Sequence, residues 1–314
     1  MMLSDVTDAA QLLFSIFISD LFPVFAIAGA GFLLARTLGV QVQTVSRVTF
    51  YALAPALVFN VLVSSTLDGL QAGRMVLFYV LVTIAAGLMA RLAAIPLRLD
   101  RPSLSAFLLV VVSSNSGNYG LPVAMLAFGR DGLAFASMYF LASSLFSYTG
   151  GILIAATGRR TIREAIVGIT RVPAVYGAAA AGLSLLLHWP LPDALMRPVS
   201  MLSDAALPMM IIVLGMQLER ATRPDRPAMV ATAVVLSIVL MPLAAIGIAH
   251  LVGLHGAAFQ AGVLQASMPT AVITTILALE FNVEPNFVTS VVALSTLLSP
   301  LTVTVLIAFL QRHA

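Results

Sequence analysis

Hydrophobic residues fill the chain in long blocks, and short clusters of Arg, Asp, Gly and Pro separate them. The blocks fall at 10–36, 44–66, 73–97, 103–129, 132–157, 172–188, 196–218, 227–250, 257–281 and 285–310. A helix needs about 20 predominantly apolar residues to cross a hydrocarbon core, and the blocks approach or exceed that length. The pattern predicts an all-α integral membrane protein of ten transmembrane helices, with nearly the whole chain in the lipid bilayer. Pro23 in the first block predicts a kinked or interfacial start before 25–35. Asp5 and Asp8 precede that block without a basic residue, the wrong flank for a secretory signal, so the N-terminus is expected to be retained.

Composition sharpens this picture. The 314 residues are 60% hydrophobic and 9% charged, with a mean hydropathy of +1.04, whereas about a quarter of a soluble domain is charged. Cysteine is absent, which removes disulfides, thiolate metal sites and thiol nucleophiles. All 16 basic residues are arginine, and they sit beside apolar blocks, so they report topology rather than a nucleic-acid face. Positive loops stay cytoplasmic. Alternate connections hold Arg36, Arg47, Arg91, Arg98, Arg101, Arg159, Arg160, Arg163, Arg171, Arg220, Arg223 and Arg226, against Arg74, Arg130, Arg197 and Arg312 on the other side. Twelve against four predicts a multi-pass protein with both termini non-cytoplasmic.

Proline spacing predicts an internal repeat. Pro55 in the second block and Pro208 in the seventh have similar apolar settings, and the next mid-block prolines, Pro122 and Pro269, follow after 67 and 61 residues. Five spans per half is an odd number, so the halves must be inverted with respect to each other. The division falls into 1–157 and 158–314.

The densest polar cluster inside any block is 113–122, which carries Ser113, Ser114, Asn115, Ser116, Gly117, Asn118, Tyr119, Gly120 and Pro122. A regular helix cannot continue through it. Broken backbone at membrane depth is tolerated only inside protein or beside water, so the fourth span is expected to break at a site or a hinge. The ninth span is interrupted correspondingly at Gln265, Ser267, Met268, Pro269 and Thr270. In each break a proline is expected near the start of the second half-helix, whose free amides and positive dipole end then face the membrane centre. Two such ends favour an anion. The candidate substrate-binding residues are therefore Asn115, Ser116, Gly117, Asn118, Tyr119, Gly120, Pro122, Ser267, Met268, Pro269 and Thr270.

Asp204, four residues before Pro208, is a candidate coupling carboxylate, and Asp20 shares its ambiguity between membrane depth and headgroup level. Glu280 and Glu284 are expected as solvated charges beyond the ninth span. His188, His250, His255 and His313 fall at loops or termini, and no metal pair, phosphate loop or paired-aspartate motif is present. No enzyme, cofactor or metal site is expected.

Gly29, Gly31 and Arg36, then Phe50, Tyr51 and Pro55, then Asn115, Gly117, Gly120 and Pro122, then Leu207, Pro208, Leu214 and Gly215, and finally Met268, Pro269 and Ala271 resemble the auxin efflux carrier family. That family includes plant PIN-formed auxin carriers and bacterial malate and malonate permeases. The resemblance covers essentially the whole chain. It implies two inverted repeats of five with broken helices four and nine crossing at the substrate site. It further implies a moving transport domain, a scaffold of spans one, two, six and seven, a homodimer, and organic anions as substrates. The short connection between spans five and six resembles bacterial members, which implies the bacterial inner (plasma) membrane. The related bile acid:sodium symporters carry an acidic residue just before the crossover, whereas this chain has the neutral Gln265, a second coupling candidate, which speaks against sodium coupling of that kind. The reading is a secondary transporter for a small mono- or dicarboxylate working by alternating access. A passive anion channel or a membrane receptor on the same scaffold is the alternative.

Overall fold

The computed structural model describes residues 10–65, 67, 69–155, 172–188, 191–219 and 224–313. Asp5, Asp8, Asp68, Arg159, Arg160, Arg163, Arg171, Arg220 and Arg223, and the boundary at 157/158, lie outside the described residues. Within them the chain forms α1 (Ala10–Leu38), α2 (Val42–Val63), α3 (Gly69–Leu97), α4 (Arg101–Val112), α5 (Ser116–Ala155), α6 (Pro173–Leu186), α7 (Asp193–Leu218), α8 (Pro227–Val252), α9 (Gly256–Ala266), α10 (Ile273–Phe281) and α11 (Pro285–His313). No strand forms among the described residues, and one isolated antiparallel bridge joins Ser114 to Thr270.

Seven helices, α1, α2, α3, α5, α7, α8 and α11, are long and apolar enough to cross a membrane singly. Seven differs from ten for local reasons. The fourth and ninth blocks are each cut in two, at 113–115 and 267–272, where the polar clusters predicted breaks. Blocks four and five instead run together, because Gly129 (φ 66°, ψ −157°) bends α5 without ending it. That backbone conformation strains any residue carrying a Cβ. The sixth block yields only the short α6.

Four prolines in the long helices follow a widened turn, whereas Pro96, Pro198, Pro208 and Pro300 lie in helix without one. A proline inside a helix lacks the amide hydrogen, and its ring collides with the carbonyl four residues back. At Pro23, Pro55, Pro122 and Pro242 the chain widens instead, into five-residue π turns at Phe17–Leu21, Thr49–Leu53, Ser116–Gly120 and Leu236–Leu240. Each wide turn ends two residues before its proline and relieves that collision. The kinked start expected at Pro23 is this widened turn.

Helices α1, α2, α6 and α7 pack on one another, and α3, α4, α5, α8, α9, α10 and α11 form a second packed group. In hydrocarbon, helices associate by close contact rather than by expelling water, which favours small residues where they cross. At the α1–α7 crossing Gly31 lies against the backbone of Ile212 and Gly215 against that of Ala28, where a Cβ would overlap the opposing carbonyl. The two groups meet where the π turn of α1 touches α5 and α11, and where α7 touches Ser116–Gly120. They meet again where Phe50 of α2 stacks on Tyr148 of α5 at 5.8 Å. The rim carries exposed large apolar side chains, such as Met201, Leu251 and Leu301, as a lipid solvent requires.

Candidate functional site

The two breaks cross and bond to each other through the backbone. Asn115 N donates to Pro269 O at 2.7 Å, and Ala271 N donates to Ser113 O at 2.8 Å. The same sequence offset relates Ser113 to Pro269 and Asn115 to Ala271, so the two bonds exchange under a two-fold operation whose centre is the Ser114–Thr270 bridge. Each bond satisfies a donor and an acceptor that breaking the helix had orphaned. The prolines used to align the halves are not at equivalent places. Pro269 lies in the break, whereas Pro122 lies in the helix beyond the Ser116–Gly120 wide turn. The two breaks are related through this backbone pairing rather than through the prolines.

Neighbouring helices hold the crossing. Thr270 Oγ1 donates to Val110 O at 2.9 Å, and Thr270 N donates to Ser295 Oγ of α11 at 3.2 Å. The hydroxyls of Ser116 and Ser143 lie 3.0 Å apart, and those of Tyr119 and Ser299 lie 3.1 Å apart. Asn115, Ser116, Tyr119, Gly120, Pro122, Ser267, Met268, Pro269 and Thr270 are all buried, and Gly117 and Asn118 are half-buried. The structure is therefore closed over its centre.

Two buried side-chain atoms at this centre have no hydrogen-bond partner among the described residues: Asn115 Nδ2, on a residue 5% exposed, and Gln265 Oε1, on a residue 0% exposed. The Gln265 amide is held by Nε2, which donates to Ala136 O at 3.4 Å, and it occupies the space a Cβ on Gly120 would take. Gly120 N in turn donates to Asn115 O at 2.9 Å. A buried donor left without a partner costs about 1–3 kcal/mol. Asn115 precedes the Ser116 start of α5, and its backbone bond to Pro269 brings it beside the segment that leads into α10 at Ile273.

Of the two coupling candidates, Gln265 joins this centre and Asp204 does not. Asp204 is on the exposed face of α7, while its neighbour Ser203 turns inward and accepts from Asn60 Nδ2 at 3.1 Å. Glu284 is not a simple solvated charge: it pairs with Arg226 at 3.2 Å and accepts from Ser103 Oγ at 3.1 Å. That cluster ties the starts of α4, α8 and α11, and Asp100 caps α4 by accepting from Ser103 N at 3.2 Å. The Ser103 hydrogen bonds hold the Asp100 carboxyl below its ordinary value. Ser143, Ser295 and Ser299 were missed as site-supporting residues because isolated serines in apolar blocks read as scattered. The one available signal was the four-residue spacing of Ser295 and Ser299, which places both on one helical face.

An open cavity of about 310 Å³ lies at the end of the helices where α2 stops and α3 begins. Arg74, Asp131, His255, Phe135 and Ala258 are among the residues that line it, and Phe135 adjoins Ala136, whose carbonyl holds Gln265.

Helices long and apolar enough to cross a membrane thus surround a crossing of two broken segments. The chain belongs to the family described as membrane transport protein, whose model matches residues 16–307. An uncharacterized transporter of Methanothermobacter thermautotrophicus is 29% identical over 82% of this chain and 85% of its own length. A Rhizobium meliloti protein, provisionally named a malonate transporter, is 28% identical over 93% of this chain and 95% of its own. Auxin efflux carrier component 8 of Arabidopsis thaliana is 27% identical over 44% of this chain and 38% of its own. These relatives agree with the auxin efflux carrier resemblance.

Proposed function

We propose that the chain is a secondary transporter that carries a small organic anion across the membrane by alternating access, with the crossing of the two breaks as its binding site. The observation that carries this reading is the closed, two-fold crossing with an orphaned amide donor, Asn115 Nδ2, at the starts of two half-helices. The proposed arrangement has ten crossings in two inverted halves, 1–157 and 158–314, of which the 14-residue α6 is the shortest. α4 with the first arm of α5 is one crossing, the second arm of α5 the next, and α9 with α10 another. At 1.5 Å per residue, α9 and α10 with their break reach about 30 Å or more, the thickness of the hydrocarbon core. The α1–α7 and α2–α6 contacts exchange under the same inversion, as two halves of one design require.

In this reading α1, α2, α6 and α7 are the stationary group, the other helices move, and two copies associate in a bacterial inner membrane with both termini outside. The substrates are small mono- or dicarboxylates, of which malonate is the first to test, given the name of the Rhizobium relative. Purified protein in liposomes preloaded with unlabelled malonate should accumulate labelled malonate without any ion gradient. A passive channel only equilibrates label, and a receptor moves none, so the absence of counterflow for malonate, malate and succinate would refute the reading.

A further inference from the structure

Among the described carboxylates, Asp20 alone is both enclosed and inside a spanning helix: it is 7% exposed, in the π turn Phe17–Leu21 of α1. α1 runs from Ala10 to Leu38, so its midpoint is near residue 24. Asp20 lies four residues from that point, about 6 Å along the axis at 1.5 Å per residue, well inside a core extending about 15 Å to either side of the bilayer centre. Among the described residues its one hydrogen bond comes from the adjacent Ser19, whose Oγ donates to Oδ1 at 2.6 Å. The π turn packs against α5 and α11, which bring the titratable or charged groups Tyr119, Arg130, Asp131, Tyr139, Tyr148, Arg312 and His313. None of these hydrogen-bonds or pairs with Asp20, and neither does Arg36 of its own helix. A carboxylate enclosed in a spanning helix with no cation beside it among the described residues is strongly disfavoured as an ion.

The position supplies the second half of the argument. α1 belongs to the group of helices packed with α7, whereas α5 and α11 belong to the group that contains the crossing, so Asp20 sits on the contact between the two. Any relative displacement of those groups opens or reseals its surroundings. We propose that Asp20 is a proton-binding site on this contact, protonated when the contact is closed and able to release its proton when the contact opens to water. The carrier then moves its anion together with a proton. This rests on the alternating-access reading, but the proton site can be tested apart from it.

The direct test is infrared difference spectroscopy of the purified protein in lipid, stepped between acid and alkaline buffer. The carbonyl stretch of a protonated, buried carboxylic acid should be present at acid pH and disappear reversibly on the step to alkaline buffer. The band should be lost in Asp20→Asn, shifted in midpoint but retained in Asp20→Glu, and kept in Asp204→Asn. Should Asp20→Asn fail to fold, Asp20→Glu still decides, because an unshifted band would come from another group. A parent without a titrating band, or a band that persists in Asp20→Asn, overturns the proposal. In liposomes of the parent, acid outside should drive accumulation of labelled malonate above its equilibrium level, and Asp20→Asn should lose that response. Counterflow without any titrating band overturns the proton site and leaves the carrier reading standing; a titrating band without counterflow does the reverse.

Discussion

Asn115→Ala separates binding from folding more cleanly than any other change at the crossing. The Asn115 side chain donates no hydrogen bond in the closed structure, and its Nδ2 has no partner. Truncation therefore breaks no internal bond, and it removes a buried donor that was already uncompensated. The backbone bond from Asn115 N to Pro269 O survives the substitution. Folded stability should consequently change little, whereas a bound carboxylate loses a hydrogen bond to a charged group, worth about 1.5–3 kcal/mol. Since about 1.4 kcal/mol is a factor of ten, the dissociation constant should rise roughly ten- to a hundredfold. Asn60→Ala is the comparison: it breaks the Asn60–Ser203 bond between α2 and α7 and should cost about 1 kcal/mol of stability, with affinity retained. Calorimetric titration with malonate and thermal unfolding of the same samples read both quantities. Equal affinity of parent and Asn115→Ala would refute the assignment of this amide to the ligand, and a large fall in melting temperature would show that the side chain is structural.

Gly120→Ala should destabilise by about 1–3 kcal/mol, because its new Cβ overlaps the Gln265 amide, and Gln265→Ala should restore most of that loss in the double variant. Gly215→Ala should cost more and find no such rescue, since its Cβ meets the rigid backbone of Ala28; the melting temperatures of both series check this. Asp100, held below its ordinary value of 3.8 by Ser103, contributes stability at neutral pH that disappears as pH falls from the ordinary value through the lowered one. The difference in melting temperature between the parent and Asp100→Asn should therefore shrink toward zero on acidification.

The apolar blocks located most of the helices, because a hydrocarbon solvent leaves little freedom to place polar residues elsewhere. Both breaks were legible for the same reason: Asn115, Gly117 and Gly120, and Pro269 with its neighbours, cannot continue a helix. How the breaks meet was not legible. The pairing of Asn115 with Pro269 and of Ala271 with Ser113 uses backbone groups, which every residue has, so no side-chain pattern announces it. The proline alignment consequently matched Pro122 to Pro269 although they differ in position. Gly129 was read within the fourth block with a loop to follow, since a bend and a loop have the same local composition. The burial of Asp20 and the exposure of Asp204 depend on which face of α1 and α7 is covered, and isolated polar residues in uniformly apolar helices carry no periodicity from which to derive it.

Because the chain has no native cysteine, one accessibility measurement bears most directly on alternating access through the crossing. A single cysteine replaces half-buried Asn118, and an impermeant thiol reagent is applied to liposomes of known orientation from one side at a time, with and without malonate. The account predicts reaction from both sides in separate experiments, a shift in the ratio of the two rates when malonate is imposed on one side, and protection at saturation. Fast reaction from both sides, unaffected by malonate and accompanied by malonate conductance, would mark a continuous pore and contradict the account.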